Sequence, residues 1–285
     1  MEFDAWNNGL ASGGHRAREI FLGHFALPPA NGDLDVLRRM VTCYSSLPYE
    51  NLTKIIKKFT AVSPEERLRG PVEVVSGYIE HHTGGTCFSL TYCLGSILSS
   101  AGFACHPVMA DMKRANVHCA LVVAMNERRY LVDPGYLVGE PVELSGAPVR
   151  IKTIFGIIEL RPRQGERYDL FTVEGETRKW RYTARTTPVS HSEFMSHWRN
   201  SFALPMMNSL LLTRLTPNGH LYIKNHHLRM NGMHGKVNEN IRNGFESRIE
   251  EEFGIPGEIT AQAREHLERL RRSWRIGDSA AGEED

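Results

Sequence analysis

Three residues that together could activate a thiol occur in the chain in the order Cys87, His118 and Asp133. Cys87 follows a double glycine and opens a predicted helix, whose first backbone N–H groups and dipole stabilise a thiolate. The same N–H groups could hold a developing oxyanion. On position alone, a buried structural cysteine is the commoner explanation, because free cysteine is among the most buried residue types. The case for a nucleophile therefore depends on His118 and Asp133.

The segment 116–136 has the pattern of a β-hairpin that would bring these two side chains together. With a two-residue turn at 126–127, His118 and Asp133 are diagonal neighbours on one face, about 7–8 Å apart at the backbone. A different loop length would slide the strands by two residues, and every odd-sum register keeps both residues on the same face. We predict that Asp133 orients the imidazole of His118, which removes the thiol proton of Cys87.

The composition is that of an ordinary globular protein, with 34 Lys plus Arg against 33 Asp plus Glu and a formal net charge of +1. This balance gives no reason to expect a nucleic-acid partner or a membrane partner. No apolar run approaches the roughly 20 residues of a transmembrane helix, and no secretory signal pattern opens the chain, so we expect a cytoplasmic protein. Five cysteines without a CxxC pair predict free thiols and no metal site.

Hydrophobic periodicity predicts an α+β fold with a helical first third and a strand-rich middle that forms an antiparallel sheet or barrel. Residues 1–16 are predicted as a loose arm, and Lys54, Lys57 and Lys58 as a solvated face. The predicted helices cover residues 36–45, 64–82 with an interruption at Gly70-Pro71, 87–101 and 260–273. The predicted strands cover residues 104–110, 117–125, 129–133, 149–160, 168–175, 178–185, 209–215 and 221–223.

Taken in order, several motifs resemble those of the arylamine N-acetyltransferases over most of the chain. That family has a cysteine after a double glycine, a histidine on the following strands and an aspartate in a VD-x-G-aromatic motif. The matching segments here are LPYENL (47–52), TGGTC (83–87), NVHCALVV (116–123), LVDPGY (131–136) and SHWRNSFALPMMNSLLLTRLTPNGHLYI (196–223). No single motif is decisive, but their order and spacing together are specific.

The resemblance implies a helical domain at 1–103 with the cysteine, a β-barrel domain at 104–190 with the histidine and aspartate, and an α/β lid at 191–276. The core would be similar to that of cysteine proteases and transglutaminases, and residues 277–285 would form a disordered acidic tail. It also implies ping-pong transfer of an acetyl group from acetyl-CoA, through a thioester on Cys87, to an arylamine, arylhydrazine or related amine. No permanently bound cofactor is implied.

The resemblance further suggests roles for residues outside the catalytic three. The residues expected to contact the acceptor are Phe88, Tyr136 and Phe202. Those expected to bind the CoA donor are Arg114, Asn116 and Ser209. Those expected to support the site are Glu50, Asn51, Gly84 and Gly85.

Two departures from the family pattern leave other functions open. Thr83 stands where the family has an arginine that pairs with the glutamate of the ENL motif, which leaves Glu50 without that partner and makes His81 or His82 the candidate substitutes. The aspartate motif reads DPGY, so Pro134 stiffens its turn. These departures motivate one alternative, an amide synthase that uses a carrier-bound or larger acyl thioester. The order Cys, His, Asp also serves thiol hydrolases and transglutaminase-like enzymes, and a non-catalytic binding protein is the remaining alternative. Neither the natural acceptor nor the oligomeric state follows from the sequence.

Overall fold

A computed structural model describes residues 2–29, 32–154, 156–232 and 235–280, and within them helices and antiparallel sheets combine as the sequence predicts. The α-helices in these ranges are α1 (Glu2–His24), α2 (Leu34–Tyr44), α3 (Leu52–Thr60), α4 (Pro71–His81), α5 (Cys87–Ser100), α6 (His191–Asn200), α7 (Phe245–Phe253) and α8 (Gly257–Ala280). Short 3-10 turns at Ser201–Ala203 and Pro205–Asn208 follow α6.

Helix α5 is the centre of the helical core and carries Cys87 at its first position. The prediction of a loose arm at residues 1–16 is wrong for 2–16, because α1 begins at Glu2 and packs against α5. A Cβ atom on Gly14 would lie 2.7 Å from Ser100 Oγ, so glycine is what allows the two helices to approach so closely. The N-terminal segment therefore holds α5 in place.

Other helices also differ from the sequence prediction. The helix predicted from residue 64 begins at Pro71, because Ser63–Arg69 forms turns and the proline at the first helical position follows the N-cap Gly70. Helices α3, α6 and α7 are not predicted from the sequence. The short α3 follows an ENL motif that does not resemble a capping box, so its start lacks the usual signal.

The middle of the chain forms an eight-stranded antiparallel sheet, almost closed into a barrel. Residues 149–160, predicted as one strand, form a hairpin whose second strand begins at Gly156, where φ is +135°. In sheet order the strands are β5 (Val142–Glu143), β4 (Arg128–Val132), β3 (His118–Met125), β2 (Ala104–Asp111), β9 (Thr177–Arg185), β8 (Arg167–Glu174), β7 (Gly156–Arg163) and β6 (Val149–Thr153).

The β3–β4 hairpin has the predicted two-residue turn, which fixes the register that the sequence left open. Met125 pairs with Arg128, and both turn residues have positive φ, +49° at Asn126 and +63° at Glu127. These are the angles of a type I′ turn, whose twist suits a hairpin. His118 begins β3 and Asp133 directly follows β4, so the two meet at one end of the hairpin.

The end of the chain forms a second, five-stranded antiparallel sheet beside α7 and α8. Its edge strand β1 (Tyr49–Glu50) comes from the ENL motif, and the predicted 209–223 hairpin is confirmed as β10 (Leu211–Thr216) and β11 (Gly219–Lys224), followed by β12 (His227–Gly232) and β13 (Gly235–Asn240). Helix α8 runs to Ala280, so the prediction of a disordered tail is wrong for residues 277–280. The remaining five residues of the predicted tail, 281–285, lie outside the described residues.

Candidate active site

Cys87, His118 and Asp133 come together where the helical core meets one end of the barrel. All three are buried, with exposed fractions of 4%, 3% and 1%. Gly135 marks how close the approach is, because a Cβ atom there would lie 2.5 Å from Cys87 Cβ and 3.0 Å from His118 Cε1. The DPGY turn therefore packs directly on the other two residues and requires glycine at its third position.

The carboxylate of Asp133 holds the imidazole of His118 in one orientation. Its Oδ2 lies 2.8 Å from His118 Nε2, and its Oδ1 accepts a hydrogen bond of 2.8 Å from the backbone N–H of Tyr136. Because Nε2 is engaged with the carboxylate, Nδ1 is the nitrogen left to face the sulfur of Cys87, with which His118 hydrogen-bonds. Tyr182 packs beside the imidazole, with ring centroids 4.9 Å apart.

The electrostatics favour a thiolate on Cys87 and an imidazolium on His118. A hydrogen bond from the Cys119 thiol is the largest cause that lowers the pKa of Cys87; burial opposes it, and His118 and Lys54 lower it further to well below the ordinary value. Burial by itself would lower the pKa of His118, but the charge and hydrogen bond of Asp133, together with Cys87, raise it to about 10. At neutral pH the ion pair is therefore the stable form, and it is lost at acid pH when Cys87 gains a proton.

We predict that removing the Cys119 donor will raise the apparent pKa of Cys87. Cys119→Ala should move the acid limb of iodoacetamide alkylation upward by about one pH unit, because a hydrogen bond to a charged group contributes on the order of 1.5–3 kcal/mol. Cys119→Ser keeps a donor at the same position and is the matched control. Identical alkylation profiles for the alanine variant and the natural protein would show that this hydrogen bond does not act on Cys87.

The predicted supporting glycines form a tight crossing between the start of α5 and β1. Gly85 N–H donates to the Pro48 carbonyl at 3.3 Å, and the N–H of Glu50 donates to the Gly85 carbonyl at 3.0 Å. A Cβ atom on Gly84 would lie 1.8 Å from the Pro48 carbonyl oxygen, so no side chain fits. This crossing sets where Cys87 begins its helix.

Arg69 is the partner of Glu50, so the expectation that Glu50 depends on His81 or His82 is wrong. Arg69 Nη1 lies 3.6 Å from Glu50 Oε1 and donates to the Gly84 carbonyl at 2.6 Å; the exposed fractions of Arg69 and Glu50 are 6% and 0%. A Cβ atom on Gly77 would lie 2.6 Å from Arg69 Nη2 and 2.8 Å from Thr83 Oγ1, so the guanidinium occupies the space beside Thr83. The arginine comes from the turn before α4 instead of from position 83.

We expect Arg69→Met to destabilise the fold by about 3 kcal/mol or more, because it leaves the buried carboxylate of Glu50 without a cation. Chemical denaturation measures this change directly. Thr83→Arg in the Arg69→Met background places a guanidinium at the neighbouring position and should restore at least half of the loss. A loss below about 1 kcal/mol for Arg69→Met would contradict a supporting role for this ion pair.

Asn51 and Ser209 join the start of α3 to the second sheet. The Asn51 amide donates to the Ser209 carbonyl and accepts from the N–H of Leu211, both at 2.8 Å. Asn51 thus links the start of α3 to the start of β10. Ser209 meets Asn51 through its backbone.

The residues predicted to contact the acceptor lie in different surroundings. Phe202 shares a hydrophobic cluster with Cys87 and Tyr49. Phe88 is also in that cluster, 1% exposed, and packs on Phe194 with ring centroids 5.5 Å apart, as a core residue does. Tyr136 packs against the barrel core, 5.8 Å from the ring of Tyr182. Of the three, Phe202 also lies beside Lys54, whose ammonium nitrogen is 4.6 Å from the centre of its ring.

The residues predicted to bind CoA in the β2–β3 loop form a compact turn. Arg114 is exposed, and its carbonyl accepts from the N–H of Met112 at 3.1 Å. Asn116 has a φ of +57°, its N–H donates to Asp111 Oδ1 at 3.0 Å, and its side-chain oxygen accepts from Arg185. The loop directly precedes His118, which keeps it near the site, while Ser209 lies in the separate segment before β10.

Lys54 is the most unexpected residue near the site, and its prediction as part of a solvated face is wrong. It is 5% exposed, whereas Lys57 and Lys58 on the same helix are partly exposed. Its ammonium nitrogen donates to Ser201 Oγ at 2.6 Å and lies 4.6 Å from the centre of the Phe202 ring. The sequence signal was weak, because the helix itself was not predicted and its burial depends on the distant 201–202 segment.

No group of three or more His, Cys, Asp or Glu side chains that could hold a metal ion occurs among the described residues. The helices of the same residues include none long and apolar enough to cross a membrane.

The fold is that of solved arylamine N-acetyltransferases. The enzyme from Mycobacterium abscessus superposes with a TM-score of 0.73 at 17% identity, covering 87% of this chain and 94% of that one. The Bacillus cereus NAT3 enzyme, described as having a unique Cys-His-Glu catalytic triad, gives 0.67 at 19% identity, covering 84% and 98%. In the present chain the carboxylate bonded to His118 belongs to an aspartate.

Family comparison leads to the same class. A model described as N-acetyltransferase matches residues 33–261, and the chain therefore belongs to the arylamine N-acetyltransferase family and is an acetyltransferase. Among curated proteins, the uncharacterized acetyltransferase YvcN of Bacillus subtilis (strain 168) is 24% identical over 224 residues, covering 72% of this chain and 85% of that protein.

Proposed function

We propose that this acetyltransferase moves an acetyl group from acetyl-CoA to an arylamine, arylhydrazine or related amine, with Cys87 as nucleophile. The observation that carries the proposal is the buried hydrogen bond of 2.8 Å between Asp133 Oδ2 and His118 Nε2, which leaves Nδ1 facing a thiol whose pKa is lowered. A structural cysteine in a core has no need of this arrangement. Cys93, buried in the same cluster, has its pKa raised to about 12 by burial.

In the first half-reaction, the thiolate of Cys87 attacks the acetyl carbonyl carbon and the C–S bond to CoA breaks. The imidazolium of His118 supplies the proton that the departing CoA thiolate takes up. Backbone N–H groups at the start of α5 point toward the substrate oxygen and stabilise its negative charge in the tetrahedral intermediate. The products are free CoA, a thioester on Cys87 and a neutral His118.

In the second half-reaction, the amine nitrogen attacks the thioester carbonyl and His118 takes the proton that the nitrogen releases. The C–S bond to Cys87 breaks, which regenerates the thiolate and the imidazolium. Asp133 keeps its charge throughout and stabilises the imidazolium in both halves. Because the proton that the imidazolium gives up in the first half-reaction is replaced by the amine proton in the second, no other acid or base is needed.

The pairing of Arg69 with Glu50 supports acetyl-CoA over a larger or carrier-bound thioester as donor. One of the two reasons for considering an amide synthase was the lost arginine at position 83, and Arg69 supplies that charge from another position. The site residues Phe202, Tyr136 and Phe88 and the CoA-binding residues Arg114, Asn116 and Ser209 remain part of the proposal, with Phe202 the best supported by its position.

Steady-state kinetics with acetyl-CoA and an arylamine such as aniline test this function. Parallel lines in double-reciprocal plots are expected, since the acetyl-enzyme forms before the amine reacts. Free acetate should form far more slowly than the acetylated amine. Release of acetate at the same rate with and without amine would instead identify a thioester hydrolase.

A further inference from the structure

The ammonium group of Lys54 is buried and donates one hydrogen bond to a described residue, Ser201. It has three donors, and one of them is used by Ser201 Oγ at 2.6 Å. Ser201 Oγ must act as the acceptor there, because its own hydrogen goes to the Trp198 carbonyl at 2.5 Å. The Phe202 ring, 4.6 Å away, adds a cation–π contact but no charge.

No carboxylate within the described parts of the chain forms an ion pair with Lys54. A buried ammonium is costly unless an anion accompanies it. Burial lowers the pKa of Lys54 to about 8, and the group that acts most strongly in the opposite direction is the thiolate of Cys87. In the resting enzyme the catalytic thiolate is therefore the anion that most stabilises the charge of this ammonium.

Formation of the thioester removes that anion. Once Cys87 carries an acetyl group, its sulfur is neutral, and Lys54 is left as a buried cation beside Phe202 when the acceptor must enter. A negatively charged acceptor would restore the balance of charge at that stage, whereas a neutral acceptor would not.

Resting on the function proposed above, we infer that Lys54 is a specificity-determining residue that binds a carboxylate on the acceptor. The acceptors favoured by this enzyme would be aromatic amines that carry a carboxylate, held with the ring against Phe202 and the carboxylate on the ammonium of Lys54. Ser201 orients the ammonium, and its own bond to the Trp198 carbonyl fixes the hydroxyl.

The test compares aminobenzoates, substituted at each ring position, with the matching uncharged aminobenzamides. We expect kcat/KM for the best aminobenzoate to exceed that of its amide by about tenfold or more in the natural protein. Lys54→Met keeps the length of the side chain and removes the charge, and it should bring the ratio of the two kcat/KM values close to one. Lys57→Met, on the same helix but with its ammonium paired to Glu73, is the control and should leave the ratio unchanged.

Comparison by ratio separates acceptor binding from the other effects of Lys54. Loss of thiolate stabilisation would slow acylation equally for both acceptors, so it would not change the ratio of their kcat/KM values. A ratio that is the same in Lys54→Met and in the natural protein, or that favours the amide at every ring position, would overturn the inference. So would a stable acetyl group found on Lys54 itself, which would make this amine an internal acceptor.

Binding of benzoate and benzamide to Cys87→Ala separates this inference from the proposed function, because no acyl transfer is involved. The alanine variant imitates the neutral sulfur of the acetyl-enzyme. Calorimetry should show tighter binding of benzoate, by about tenfold, and loss of that preference in the Cys87→Ala, Lys54→Met double variant. If acetyl-CoA fails to acylate Cys87 but this preference is present, the anion site stands and the acetyl donor is wrong; equal binding of both probes overturns the anion site.

Discussion

Replacing Cys87 by alanine should lower the rate of acetyl transfer by a factor of at least about 10³ and abolish any acetyl adduct on the protein. Without the sulfur, the amine would have to attack acetyl-CoA directly, and the site would offer only binding and the N–H groups of α5. The fold should be unaffected, because a change from cysteine to alanine at this position removes one small buried atom. The measurement is the single-turnover rate of CoA release, followed with a thiol reagent on the separated products.

Cys93→Ala is the matched control for this prediction. Cys93 lies on the same helix and in the same hydrophobic cluster as Cys87, but burial raises its pKa to about 12 and its Sγ contacts the Pro71 carbonyl at 3.5 Å. We expect its replacement to leave CoA release within about twofold of the natural protein. Equal losses of the rate of CoA release in the two variants would mean that helix α5 had been disturbed and that Cys87 is not the nucleophile.

Asp133→Asn should lower the acetyl-transfer rate by about 10³- to 10⁴-fold while leaving the shape of the site intact. Since the N–H of Tyr136 needs an acceptor at Oδ1, the new amide would turn its NH₂ group toward His118 Nε2. That nitrogen would then have to accept, so the proton of the neutral imidazole would move to Nδ1. With its proton on the side of Cys87, the ring can no longer take the thiol proton.

The same substitution should also change the pH dependence of Cys87 alkylation. Asp133 raises the pKa of His118, so its loss destabilises the imidazolium that in turn lowers the pKa of the thiol. We therefore expect alkylation at mildly acid pH to fall steeply in Asp133→Asn. Asp169→Asn, a carboxylate of the barrel bonded to Thr183, serves as control and should keep the profile of the natural protein. Full activity of Asp133→Asn would remove Asp133 from the mechanism.

The part of the site that sequence could predict is the part built by local geometry. The hairpin between His118 and Asp133 depends on a two-residue turn and on strand alternation, and both follow from residues that are close together in the sequence. Cys87 could be placed because a double glycine precedes its helix and Gly102 follows it. The hydrogen bond between His118 and Asp133 follows from these local rules once the register is fixed.

The parts that sequence could not predict depend on contacts between distant segments. Arg69 reaches Glu50 across 19 positions only because α4 begins at Pro71 and turns the preceding loop inward. Lys54 looks like any surface lysine until the segment at Ser201 and Phe202 covers it, 147 positions later. A periodic pattern indicates which face of a helix is apolar, but not that a charged residue of that helix will be covered by a segment far along the chain.

The exchange of Thr83 and Arg69 also shows how a supporting charge can be kept while its position changes. The buried carboxylate of Glu50 requires a cation, and any arginine that reaches the Gly84 carbonyl and the carboxylate together meets that need. Absence of a motif residue at its usual position is therefore weak evidence for altered chemistry when another cation can reach the same space.

Mass spectrometry of the protein after incubation with acetyl-CoA tests the acyl-enzyme most directly. We predict one added acetyl group, located on the peptide that contains Cys87, and its complete removal when an arylamine is added, with an equal amount of acetylated amine formed. The adduct should be labile to hydroxylamine, as a thioester is. An acetyl group on any residue other than Cys87, or an unmodified Cys87 under conditions in which the amine is acetylated, would contradict the mechanism.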